Sequence, residues 1–365
     1  MFQAIKTIIF WALGVLTFAV IGYFILPSRY QPLDIINNIY QSNFLLWSWA
    51  NFDGEHYLSI AQNGYQTIRG QSEYAFFPLF PLLIKAIGNI LFADYYLASH
   101  LIVAFSLTLF IYYLLIKNPL SITNPAQLVL SILLFPGAVF LVSIYTESLF
   151  LLLTVLVFIS VKEKNWVKAA LFTGLATATR INGLSLVLFL AYSLYQNRVN
   201  LVKSTTYLAL SMSGIFGYML YLFVQTGNPL SFFTAQSGWG KSSLTMPWET
   251  ALNYAKALTI ELEYDLVHLV VFVEVIVTIY LLTLLYFVVR RRLLTPPYLL
   301  YCLFNLALPL ATGSLGSMPR FGLLLFPLFI IPAHTNSSSR VILYLISAIL
   351  AGCGVILFTR GYWWA

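Results

Sequence analysis

The chain has 365 residues, 60% of them hydrophobic and 8% charged, with a formal net charge of +7 and a mean hydropathy of +0.85. A soluble domain carries about a quarter charged residues, so this chain lacks the charge to cover a water-facing surface and much of it must face lipid. A soluble globular protein is excluded, and so is a nucleic-acid groove, because no basic run is interleaved with exposed polar sequence.

The first stretch carries Lys6 and then mostly apolar residues to Leu26 with no A-x-A cleavage site, and it reads as a retained first span. Further apolar runs fall near 97–116, 126–143, 146–161, 166–180, 183–196, 205–226, 266–289, 297–313, 320–334 and 341–359. They are weighed against the roughly 17–25 residues of a crossing helix. The stretch 75–92 opens on "AFFPLFPLL", with two prolines, and reads as interfacial. With that stretch left out and the N-terminus cytoplasmic, one side holds Lys6, Lys117, Lys162, Lys164, Lys168, Arg198, Lys203, Arg290, Arg291, Arg292 and Arg340, with Glu163 as its single loop acid. The other side takes Asp34, Asp53, Glu55, Glu73, Asp94, Glu147, Glu249, Glu261, Glu263 and Asp265. This sorting obeys the positive-inside rule; counting 75–92 as a span would place 162–164 and 290–292 outside. The expected fold is an all-α polytopic membrane protein, a single domain over 1–365 with about eleven transmembrane helices. Its larger outer segments are expected near 28–96 and 227–265. No internal repeat is evident, and Cys302 and Cys353 lie in apolar segments as packing residues.

The polar motifs all fall on the outer side. In "FDGEHYLSIAQNGY" (52–65), Gly54 to Asn63 reads as a short helix ended by Gly64. Asp53 either caps that helix or acts as a catalytic carboxylate, with His56 and Tyr57 one turn beyond it. Asp53 and Glu55 also form a D-x-E pair of the kind that holds Mg²⁺ or Mn²⁺. In "SIYTESLF" (143–150), Thr146 and Glu147 read as caps of a helix beginning at Ser148. Arg180 in "TRING" (179–183) sits at a helix C-terminus, where dipole complementarity or anion binding would account for it. "GNPLSFFTAQSGWGK" (227–241) offers Gln236, Trp239 and Lys241, suited to a sugar ring or to an interfacial aromatic belt. In "GSMPRF" (316–321), Pro319 suits a first helical turn, placing Arg320 where a cation is unfavourable unless an anion joins it. An arginine so placed is a phosphate clamp. Five such motifs, distant in sequence and on one face, point to a single outer site.

Together these blocks resemble the GPI mannosyltransferase II (PIG-V-like) family of the GT-C glycosyltransferases. "FDGEHYLSIAQNGY", "AFFPLFP", "YTESLF", "TRING", "AQSGWG" and "MPRF" occur in the family's order between residues 52 and 327. Phe52 stands where the family has tryptophan, and the length suits a prokaryotic relative. The resemblance implies a GT-C bundle whose large first outer loop carries short interfacial helices. It implies inverting transfer of mannose from a polyprenyl-phosphate donor to a glycolipid or glycan acceptor, in the plasma membrane of a prokaryote or the endoplasmic reticulum of a eukaryote. Asp53 would be the general base, supported by His56, Tyr57 and Glu147. Arg320, Arg180 and Lys241 would bind the donor phosphate, and Gln236, Trp239, Asn182 and Tyr145 the sugar or acceptor. No cofactor is expected to be required; Asp53 and Glu55 are the candidates for a divalent metal. Expected partners are the donor, the acceptor and membrane lipid, with no nucleic acid. The alternatives are another lipid-linked sugar such as arabinose or glucose, or a lipid-linked sugar transporter, suggested by Glu274 inside an apolar run.

Overall fold

The computed structural model describes residues 2–29, 44–68, 70–239, 245–260 and 266–364. In chain order its longer helices begin with α1 (Phe2–Ile25), α2 (Asp53–Asn63), α3 (Leu79–Ile90), α4 (Tyr95–Lys117) and α5 (Pro125–Leu133). Then come α6 (Glu147–Lys162), α7 (Trp166–Thr177), α8 (Leu184–Gln196), α9 (Leu201–Ser211) and α10 (Ser213–Thr226). α11 (Pro247–Ile260), α12 (Leu266–Arg290), α13 (Pro296–Leu310) and α14 (Ser337–Thr359) complete them. Short polar residues start several of these helices: Asp94 accepts from the Leu97 amide, Asn165 from Lys168 and Asn336 from Ser339. Each satisfies an amide that the first turn would leave unpaired.

Among the described residues, α1, α4, α12 and α14 are long and apolar enough to cross a membrane, and the pair α9–α10, bent by 49° at Met212, would make a fifth. The other runs counted as spans form shorter pieces. α6 has 16 residues and α7 has 12. At 1.5 Å per residue even α6 covers only about 24 Å of a hydrocarbon core of about 30 Å. The run near 126–143 divides into α5 and a 3-10 turn at Ala138–Leu141. The run near 320–334 is largely a 3-10 stretch, Gly322–His334, with Pro327 and Pro332 inside it. The proline-rich 75–92 stretch becomes α3, twelve residues long, which buries Phe80 and Ile84 and exposes Leu82 and Ile90. Twelve residues, about 18 Å, are too few to cross alone.

α6 is the centre of the bundle, packed against α4, α7 and α8. Phe150, Leu151, Val155, Val157 and Phe158 are all fully buried, the mark of a helix apolar on every side. Its two ends belong to different environments. At its C-terminus, Lys117 pairs with Glu163 at 3.0 Å, Lys162 donates to the Asn118 carbonyl, and the Tyr298 hydroxyl donates to the Pro119 carbonyl. The ends of α4 and α6 and the start of α13 therefore share one end of the bundle. At the other end, Asn51 donates to the Phe358 carbonyl at 2.7 Å and the Arg29 amide donates to the Arg360 carbonyl. That end also receives the first residue of α6. Asp34, Glu261, Glu263 and Asp265 lie outside the described residues.

Candidate active site

The site forms around the first residue of α2. Phe52, just before it, has φ 62° and ψ −118°, in the half of backbone space that non-glycine residues avoid. Its ring is held by Phe358 and, edge-on at 5.2 Å, by Trp363. Gly54 lets the helix lie against the 143–147 turn: a Cβ there would stand 3.2 Å from the Ile144 carbonyl. The Asp53 amide donates to the Tyr145 hydroxyl at 3.3 Å, and that hydroxyl donates to the Asn51 carbonyl at 3.0 Å. The capping reading of Asp53 is overturned. The N-cap is Phe52, which has no side chain able to cap, and Asp53 Oδ2 instead accepts from Arg320 Nη1. Asp53 Oδ1 makes no hydrogen bond with the described residues.

Arg320 comes from a single turn, Met318–Phe321, with Pro319 in the expected first-turn place and Ser317 before it at φ 75°. Gly137 permits this approach, since a Cβ there would collide with the Pro319 carbonyl. The anion that Arg320 requires comes from the chain itself: besides Asp53, its Nε donates to Glu147 Oε1 at 2.5 Å. The guanidinium also lies 4.6 Å from the centre of the Tyr145 ring, within cation–π range. Arg180 is extended backbone between α7 and the 3-10 turn Ile181–Gly183, with φ −160°. Its Nη1 donates to Glu147 Oε1 and to the Thr146 hydroxyl. Thr146 and Glu147 thus serve Arg180, and no side-chain cap starts α6.

Asp53, Arg320, Glu147 and Arg180 therefore alternate in charge along one chain of contacts, neutral in sum. Glu147 is fully buried, and the other three are each 8% exposed. Such pairs repay their desolvation only when geometry is good and remaining polar atoms are satisfied. Each arginine keeps Nη2 free of hydrogen bonds to the described residues, available to a further anion.

Asp53, Arg180 and Arg320 face one cavity of about 610 Å³. Tyr57, Asn182 and Gln236 add polar groups to its wall, and Phe76, Phe232, Leu308 and Phe321 supply much of the apolar remainder. Burial pushes the Tyr57 hydroxyl up to about 12, with Arg320 opposing and Asp53 reinforcing the shift, so it stays protonated and able to donate. Asn182 donates to Asn305 Oδ1 at 2.9 Å, which orients its amide.

Other predicted residues lie elsewhere. Tyr145 is behind Arg320, off the cavity wall. Neither Glu55 nor His56 lines the cavity, so the D-x-E pair does not present both carboxylates to it. His56 stacks on Phe76 at 5.2 Å, with Nδ1 3.2 Å from Glu73 Oε1, and Glu73 Oε2 accepts from the Gln66 amide. Sequence reasoning missed Glu73, which ties the 66–76 segment to α2, and Trp363, which lines the cavity. Trp239 falls in the 3-10 turn Ala235–Trp239, and Lys241 lies outside the described residues. Glu274, only 3% exposed, accepts from the Tyr254 hydroxyl at 2.8 Å.

Residues 25–237 match a family model described as mannosyltransferase (PIG-V). That match contains Asp53, Glu147, Arg180 and Gln236 but ends before Arg320. Over 184 residues the chain is 31% identical to GPI alpha-1,6-mannosyltransferase 2 of Homo sapiens, covering 46% of this chain and 35% of that protein. The protein of the same name from Rattus norvegicus is 31% identical over 180 residues, with the same shares of each chain. That from Cricetulus griseus is 33% identical over 162 residues, 41% of this chain and 32% of the relative. The chain thus spans about a third of the length of the curated relatives it matches.

Proposed function

The chain belongs to the mannosyltransferase (PIG-V) family, and from that premise we propose that it moves mannose from a polyprenyl-phosphate-mannose donor to a lipid-linked or glycan acceptor. The reaction takes place on the non-cytoplasmic face, at the end of the bundle opposite Lys117, Lys162 and Glu163. The observation that carries this reading is the convergence of Asp53, Arg180 and Arg320 on one largely apolar cavity. A polyprenyl-phosphate sugar has the matching parts: an anionic phosphodiester, a polar ring and a hydrocarbon tail.

In the reaction Asp53 Oδ1 takes the proton of an acceptor hydroxyl while Arg320 holds Oδ2. The acceptor oxygen bonds to C1 of mannose, the bond from C1 to the phosphate oxygen breaks with inversion, and polyprenyl phosphate leaves. Arg180 and Arg320 turn their free Nη2 groups to the departing phosphate, where preorganised donors act most strongly in a water-poor site. Glu147 keeps both guanidinium groups in place, and Tyr57, Asn182 and Gln236 bond sugar hydroxyls. A carboxylate acting as general base contributes about 10² to 10⁴ in rate. Because the arginines supply the cationic charge, transfer is expected to persist in EDTA; activity abolished by EDTA and restored by Mg²⁺ or Mn²⁺ would assign part of that charge to a metal.

The test is incubation of the purified protein with polyprenyl-phosphate-[³H]mannose and membrane extract, followed by identification of the labelled product. A mannosylated lipid or glycan is expected. Label that moves across a vesicle bilayer still attached to its carrier, with no new glycosidic bond, would overturn the reading in favour of transport.

A further inference from the structure

The cavity wall includes a tryptophan that the proposed mechanism does not use, Trp363. It is 45% exposed although the residues beside it are tightly fixed. Trp364 is 1% exposed and donates its indole N–H to the Pro136 carbonyl at 2.9 Å. Upstream, the Tyr362 amide donates to the Leu357 carbonyl, and the Arg29 guanidinium lies 5.4 Å from the Tyr362 ring. Trp363 is therefore carried on a segment anchored on both sides. It meets Phe52 at 5.2 Å with the two rings at 89°. Phe52 precedes Asp53 directly, and Trp363 and Asp53 line the same cavity. Its N–H makes no hydrogen bond with the described residues. A tryptophan of an interfacial belt sits among lipid headgroups at a helix rim; this one is built into the wall of a cavity.

We infer that Trp363 contacts the ring face of the sugar: its indole stacks on the apolar C–H face of a pyranose whose reacting atoms lie at Asp53. The inference rests on the proposed mannosyl-transfer reading and assigns the ring contact within it. A pre-positioned aromatic gives such a contact at little loss of side-chain freedom.

The test compares wild type, Trp363→Ala and Trp363→Phe by binding of four ligands: polyprenyl phosphate, polyprenyl-phosphate mannose, octanol and octyl α-mannoside. Trp363→Ala is expected to weaken one or both mannosyl ligands by about three- to tenfold, to leave the two bare lipids unchanged, and to be largely rescued by Trp363→Phe. A loss on the carrier pair places the donor sugar on the indole, and a loss on the octyl pair places the acceptor sugar there. The inference alone is overturned if wild type prefers the mannosyl ligands and Trp363→Ala prefers them equally. It is also overturned if bare and mannosyl ligands weaken together, which would make Trp363 a lipid contact. If wild type ignores the sugar altogether, the mannosyl-transfer reading fails as well.

Discussion

Glu147 is the residue on which both arginines close: one oxygen accepts from Arg320 Nε and Arg180 Nη1, and the other has no hydrogen-bond partner among the described residues. Removing a fully buried carboxylate leaves two desolvated guanidinium groups facing each other, with Asp53 the remaining acid. Glu147→Ala is accordingly expected to destabilise the protein by about 3–5 kcal/mol, read as a lowered thermal midpoint in detergent. An unchanged midpoint would mean that the arginines are held by something else. Tyr57 makes a contrasting prediction. Its hydroxyl, protonated up to about pH 12 because it is buried, acts only as a hydrogen-bonding group. Tyr57→Phe should therefore reduce transfer by about tenfold or less, the worth of one hydrogen bond, without changing its pH dependence. A shifted pH profile would contradict that role. At this scale the sequence was informative about residue types and poor about partners. Asp53 in a first turn looks the same whether or not it caps, and what removes the cap is Phe52 at the N-cap position with Arg320, 267 residues away, on the Asp53 carboxylate. Pro319 and the cation beside it signalled that an anion was needed; nothing local said that the chain would provide two.

Among the elements, the two that bring Arg320 to Asp53 are the least regular. Gly137 follows Pro136 in the turn after α5, and the Met318–Phe321 turn leads into a 3-10 stretch. Gly137→Ala would push a Cβ into the Pro319 carbonyl, a backbone group that cannot swing aside. The expected effect is a loss of about 1–3 kcal/mol together with reduced transfer. Gly217→Ala in α10, where a Cβ meets nothing within 4 Å, should be neutral or slightly stabilising by about 0.5–1 kcal/mol. Equal behaviour of the two variants would show that close approach at Gly137 does not position the site. Apolar runs in the sequence correctly marked helical regions, yet they overstated continuous helix length. Hydrophobicity alone does not tell a crossing helix from a buried one, and α6 is apolar all round because other helices surround it. The breaks at Pro136–Gly137, Met212 and Leu325 are where composition reads as one span and the backbone divides. By contrast α2 was legible almost to the residue, since Gly64, with φ 80°, supplies a stop that composition can announce.

Across the whole molecule, the two ends of α6 carry different ion pairs. Lys117, Lys162 and Glu163 meet at the C-terminal end of α6, and Glu147 opens its other end about 23 Å away by helical rise. The loop acids and lysines lead to the expectation that these ends face opposite sides of a membrane, which makes the two ends of a bundle chemically distinct. If the basic end faces the cytoplasm, a single cysteine at Lys164 should be labelled only from the cytoplasmic side and one at Thr234 only from outside. The reverse pattern would place the site on the wrong face for the proposed donor. The proposed transfer depends on Asp53 as the base in the cavity. Its most direct test is the rate of mannose transfer from polyprenyl-phosphate mannose by Asp53→Asn against wild type, with both shown to bind the bare carrier. A fall of about 10² to 10⁴ is the result predicted here; transfer at the wild-type rate would contradict it.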